Sequence, residues 1–117
     1  MTPEEMKSRT KQYGLRIIQL CESLPNRPVA RVIGGQLLRA GTSVGANYRS
    51  ACRAKSTADF VSKMGTVEEE ADESVYWMEL LVEAGIVELK KLRPLMEEAD
   101  EILSITVSSI KTARKNK

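Results

Sequence analysis

Three short breaks cut the chain into four stretches, and each stretch repeats its apolar residues at helical spacing. The breaks are Pro25-Asn26-Arg27-Pro28, Lys55-Ser56-Thr57 and the run that begins at Gly85. Short connections force sequential helices to run antiparallel. The pattern therefore predicts an all-α, antiparallel up-down-up-down four-helix bundle, a single domain over residues 1–117. A chain of 117 residues can bury one core without a disulfide or structural metal. Aromatics at 4% and only four prolines argue against a β-sandwich.

The first helix is expected from about Pro3 to Ser23, capped by Thr2, with Met6, Tyr13, Ile17, Leu20 and Leu24 on its apolar stripe. The second spans about Pro28 to Ala54, with Ile33, Leu37, Ala40, Val44, Asn47 and Ala51 facing inward. Gly34, Gly35, Gly41 and Gly45 make it an unusual helix, since each interior glycine costs about 1 kcal/mol against alanine. The stripe on both sides argues that it stays helical and that its small residues admit a neighbouring backbone. Asn47, on that stripe, is expected to hydrogen-bond a neighbouring helix.

The third helix is capped by Ser56 or Thr57 and runs to about Ala84, before Gly85 as a left-handed cap. Its stripe is Phe60, Met64, Val67, Ala71, Ser74, Met78 and Leu81. The fourth begins between Leu89 and Pro94 and continues to near Ala113 through Leu95, Ala99, Ile102, Thr106 and Ile110. Pro94 is expected in its first turn, because a mid-helix proline costs about 3 kcal/mol. The basic tail Lys111–Lys117 suits the negative end of that helix and is expected to fray.

Some apolar surface is left over. Tyr76, Trp77 and Leu80 fall outside the third stripe, and Leu103, Ile105 and Val107 flank the fourth. Such residues either widen the core or form a subunit interface; Tyr76, Trp77 and Leu80 are taken as a candidate oligomer interface.

Charge is distributed unevenly although the net is only +2. Residues 1–55 hold ten Lys/Arg against three Asp/Glu, and residues 56–110 hold four against thirteen. Arg9, Lys11, Arg16, Arg27, Arg31, Arg49, Arg53 and Lys55 form the candidate nucleic-acid-binding set, because guanidinium forks and ammonium groups neutralise phosphates. The competing account is a solvated face paired with the acidic third helix. Few aromatics lie near these residues, so phosphate or shape contacts are favoured over base reading. Arg39, about sixteen residues before the turn, is expected level with Glu70 and Glu73 as a register-fixing ion pair.

The residues Arg39-Ala40-Gly41-Thr42-Ser43-Val44-Gly45-Ala46-Asn47-Tyr48-Arg49, then Ala51-Cys52-Arg53, Asp59-Phe60, and Glu69-Glu70 through Glu73-Ser74 to Tyr76-Trp77, resemble a known family. It is that of the four helix bundle proteins encoded within intervening sequences of bacterial large-subunit ribosomal RNA genes, which includes accessory proteins of diversity-generating retroelements. The resemblance covers nearly the whole chain. It implies a bundle assembled as a ring, typically a pentamer, and, for the retroelement members, a basic surface that engages a reverse transcriptase and nucleic acid.

Catalysis finds little support in the sequence. Histidine is absent, which removes Ser-His and Cys-His nucleophiles and the Glu-x-x-His ligands of a di-iron bundle. The glycines of Gly41–Gly45 lack the spacing and lysine of a phosphate loop. Glu69-Glu70-x-x-Glu73 and Glu97-x-x-Asp100 resemble the magnesium signature of all-α nucleoside triphosphate pyrophosphatases, an enzymatic alternative that needs the two sets to face each other. No cofactor is expected. Cys21 and Cys52 are expected as reduced thiols in or near the core. No signal peptide or membrane-length apolar run is present, so a cytoplasmic location and no membrane partner are expected. The sequence thus points to a non-enzymatic homo-oligomer that binds RNA, DNA or a nucleic-acid enzyme, with a structural or adaptor bundle as the alternative.

Overall fold

The computed structural model describes residues 1–116; Lys117, the end of the basic tail, lies outside the described residues. Four helices form an all-α bundle: α1 (Pro3–Glu22), α2 (Pro28–Ala51), α3 (Thr57–Glu83) and α4 (Leu89–Lys115). Each packs against two others in the cyclic order α1, α2, α3, α4, giving a body of 48 × 21 × 20 Å. Among the described residues, no helix is long and apolar enough to cross a membrane.

The helix ends are set by local chemistry. Thr2 Oγ1 accepts the Glu5 amide at 3.1 Å while Glu5 Oε1 accepts the Thr2 amide at 2.8 Å, a reciprocal capping box that draws the Glu5 carboxyl below its ordinary range. Ser56 caps α3 by accepting the Asp59 amide at 3.0 Å. After α3, Gly85 takes φ +73°, and the Ile86 and Gly85 amides donate to the Leu81 and Val82 carbonyls. Those two bonds are a Schellman motif, and its left-handed residue is the one place where the backbone demands glycine.

Three boundaries differ from expectation, the first being the end of α2, which stops at Ala51 and not at Ala54. Pro94 is not in the first turn of α4 but at its sixth position. Its ring deprives the Lys90 carbonyl of a helical donor; Lys90 and Pro94 are both exposed, which leaves the freed carbonyl open to solvent and the cost small. The basic tail continues as helix to Lys115 instead of fraying after Ala113.

The core is built from the small-and-large alternation of the four stripes. Tyr13, Ile17, Leu37, Val44, Met64, Val67, Met78, Leu81, Leu92 and Ile102 are all fully buried. Glycines on α2 bring α1 close. A Cβ at Gly41 would lie 2.7 Å from Ile17 Cγ1, one at Gly45 3.3 Å from the Thr10 carbonyl carbon, and one at Gly14 3.7 Å from Thr42 Cα. These contacts descend along α1 as they climb α2, so the two helices run in opposite senses.

Asn47 departs from its expected role. It is half-exposed, and its side chain donates to the Ser43 carbonyl of its own helix at 2.8 Å. Tyr48 is buried in its place. The glycines let α2 sink toward α1, which turns the inward arc one residue past the a/d count. Ile33, Phe60, Leu20 and Leu24 are likewise half-buried at the margin.

Candidate functional site

The cations of the first half of the chain divide into those already engaged within the bundle and those that are not. Arg9 turns to α4, where its Nε and Nη2 donate to the two Glu98 carboxylate oxygens at 2.7 and 2.8 Å and Nη2 lies 3.3 Å from Glu101. The hydrogen bonds from Arg9 to Glu98 hold its charge firmly on. This fork fixes α1 against α4, so Arg9 does not share a free basic side with Arg16. Arg31 Nη1 donates to Asn26 Oδ1 at 2.6 Å, tying α2 to the loop before it.

Arg39 reaches both Glu70, at 3.1 Å, and Glu73 on α3. Glu73 also accepts the Trp77 indole N–H at 3.0 Å; that bond, with the Arg39 guanidinium behind it, holds the Glu73 carboxyl below its ordinary range. Trp77 meets Tyr76 edge-on with ring centroids 5.0 Å apart. A continuous line of contacts therefore runs from Arg39 through Glu73 and Trp77 to Tyr76. Tyr76 is 51% exposed, whereas Trp77 and Leu80 are half-buried.

Lys11, Arg16, Arg27, Arg49, Arg53 and Lys55 have no side-chain ion pair or hydrogen bond among the described residues. Arg49, Arg53 and Lys55 crowd the end of α2 and the turn after it; Arg27 sits at the opposite end, as the residue before α2. Lys11 and Arg49 line one open groove of about 720 Å³ between α1 and α2, with Lys7, Gly14, Thr42 and Ala46. Arg16 is exposed but not part of that groove.

The groove also holds residues the sequence pattern did not single out. Leu15 and Ile18 line it and are uncovered. Their spacing along the chain is ordinary. Only the close approach of α1 to α2 reveals that they lie outside the buried arc together.

The carboxylates of the pyrophosphatase-like pattern are not brought together. Glu70 and Glu73 are bonded to Arg39 on α2, away from Glu97 and Asp100 on α4, and the described residues contain no group of three acidic, Cys or His side chains placed to hold a metal. Both thiols are free and half-buried. Cys21 contacts the Gly34 carbonyl at 3.4 Å, and burial pushes its pKa up.

Comparison with known proteins agrees with this architecture. No curated protein matches the chain. A solved structure of a protein with unknown function from the S23 ribosomal protein family of Bacteroides thetaiotaomicron superposes with a TM-score of 0.88 at 34% identity, covering 95% of this chain and 99% of that one. Residues 5–108 match the 23S rRNA-intervening sequence protein family, and the chain belongs to that family.

Proposed function

We propose that the protein is a non-enzymatic, oligomeric helical bundle that binds nucleic acid, RNA foremost, through its uncommitted basic residues. One observation carries this reading. Arg49, Arg53 and Lys55 lie within seven residues at the end of α2 and in the turn after it with no side-chain ion pair among the described residues, while Arg9 and Arg39 are paired with carboxylates of other helices. Asp59, whose carboxylate accepts the Lys55 amide at 3.0 Å and pairs with Lys63, offsets only part of this positive charge, and a phosphate backbone is the ligand that balances the rest. The family is described as 23S rRNA-intervening sequence protein, which makes RNA the nucleic acid to test first. Among the described residues no aromatic side chain is stacked on these cations, which favours phosphate and shape contacts over base stacking. A reverse transcriptase is the protein partner implied by the retroelement branch. The absence of assembled carboxylates supports a binding role over the magnesium pyrophosphatase.

The test is binding of a structured RNA measured by anisotropy, with the Arg53→Glu/Lys55→Glu variant alongside. Both positions are exposed, so the fold is spared. The variant should lose at least about tenfold in affinity, since two phosphate contacts are replaced by two repulsions. Unchanged affinity would place the site elsewhere.

A further inference from the structure

We infer that the groove between α1 and α2 receives the outer face of α3 from a second copy of this chain, with Tyr76 as the anchor. The inference rests on the oligomeric reading proposed above and assigns its interface.

The two faces complement each other in charge. The α1 wall of the groove carries Lys7 and Lys11, and the one carboxylate of its lining, the solvent-exposed Glu4, pairs with Lys7. The outer face of α3 carries Glu69, Asp72, Glu79 and Glu83, all exposed and all without an ion pair among the described residues. Both faces also leave apolar groups uncovered: Leu15 at 44% and Ile18 at 37% in the groove, Tyr76 on α3. Within one chain the faces cannot meet, because α3 packs on α2 and α4 and has no packed contact with α1's side of the groove.

They also match in spacing. On α1, Lys7 and Lys11 precede Leu15 and Ile18; on α3, Glu69 and Asp72 precede Tyr76 and Leu80. Lys11 to Leu15 and Asp72 to Tyr76 are both four-residue steps, about 6 Å along a helix axis. Lys7 to Leu15 and Glu69 to Tyr76 are eight and seven residues. A neighbour's α3 laid parallel to α1 with Tyr76 on Leu15 therefore puts Asp72 opposite Lys11, Glu69 opposite Lys7 and Leu80 beside Ile18. The small residues Gly14, Thr42, Gly45 and Ala46 line that stretch of the groove, so no large side chain stands over its floor. Tyr76 is held ready by its edge contact with Trp77, itself fixed through Glu73 to Arg39. An exposed aromatic fixed in place, opposite a pocket floored by small residues and rimmed by opposite charge, has the make-up of an interface hot spot. Groove and α3 face lie on different sides of the molecule, so the contact is head-to-tail and propagates to a ring or a filament.

Light scattering after size exclusion tests this on the full chain. The wild type should run as an oligomer. Lys7→Glu/Lys11→Glu and Glu69→Lys/Asp72→Lys should each lower the association constant by about 100-fold or more, from like charges facing across the contact. The chain carrying all four changes should recover the wild-type mass, because the pairs are restored with signs exchanged. Ala46→Trp, at an exposed position, should fill the groove and abolish the oligomer with every charge kept. A wild-type monomer would defeat the oligomeric reading itself. A wild-type oligomer that survives Ala46→Trp and both charge reversals, or a fourfold variant that folds by circular dichroism yet stays monomeric, would overturn this interface alone.

Discussion

Tyr13 and Ser74 meet hydroxyl to hydroxyl at 2.6 Å in the fully buried centre of the bundle. Ser74 Oγ donates onward to the Ala71 carbonyl at 2.7 Å, which leaves Tyr13 as the donor of the pair. The bond spans the diagonal from α1 to α3, two helices that do not otherwise pack on each other. No side-chain N or O atom in the interior lacks a partner among the described residues.

That direction makes the two deletions unequal. Ser74→Ala strands the Tyr13 hydroxyl where no water reaches it and should cost about 1–3 kcal/mol. Tyr13→Phe leaves Ser74 bonded to Ala71 and should cost nearer 1 kcal/mol. Chemical denaturation of the two single variants and the double variant checks this: the double variant should be no less stable than Ser74→Ala alone.

The same pair sets an alkaline limit. Burial pushes the Tyr13 phenol up to about 12, with the Ser74 hydrogen bond pulling the other way. Between pH 10 and 12 the unfolded chain releases this proton while the folded one retains it, so stability falls as pH rises, by up to roughly 1.4 kcal/mol per pH unit for one proton. Tyr48 is raised too, first by burial and then by Cys52, and adds to the loss. Melting curves across that window should show a shallower decline for Tyr13→Phe than for the wild type.

Glycines six residues apart on α2 should respond with opposite sign. A Cβ at Gly35 meets nothing within 4 Å, so Gly35→Ala should stabilise by about 1 kcal/mol through helix propensity alone. A Cβ at Gly41 meets three atoms of the β-branched Ile17 at 2.7–3.1 Å, and this side chain is fully buried. Overpacking costs about 1–3 kcal/mol, so Gly41→Ala should destabilise despite the propensity gain. Thermal unfolding of both variants distinguishes a close-packed α2 from a merely tolerant one.

The two cross-helix arginine sites should differ in worth. Arg9 and Glu98 are 24% and 16% exposed and joined by a double fork, so Glu98→Ala leaves a largely shielded guanidinium short of its main partner and should cost about 1–2 kcal/mol. Arg39 is half-exposed, and Arg39→Ala should shift the melting temperature less.

How far the sequence could be read follows from what each feature is counted against. The stripes of α3 and α4 were legible because strict three-and-four alternation places Met64, Val67, Ala71, Ser74, Met78 and Leu81, then Leu95, Ala99, Ile102, Thr106 and Ile110, on one arc, and all are buried. Arg39 could be set level with Glu70 and Glu73 because a short turn gives a fixed origin for counting. Arg9 with Glu98 had no such origin, since α1 and α4 are joined by no turn. In α2 the count slipped by one at Asn47 and Tyr48, because glycines change how deep a helix sits and depth decides which arc is inside. The groove was hidden for the same reason: Leu15 and Ile18 read as ordinary helical residues until the α1–α2 approach shows that they remain outside.

The most direct measurement of the central claim is the salt dependence of RNA affinity. Wild-type affinity for a structured RNA should fall steeply between about 50 and 200 mM salt, and the Arg53→Glu/Lys55→Glu chain should show a log–log slope shallower by roughly 1.4 to 1.8, two phosphate contacts fewer. An RNA affinity too weak to detect at about 50 mM salt, or a slope that the double substitution leaves unchanged, would contradict a role for these cations in holding nucleic acid.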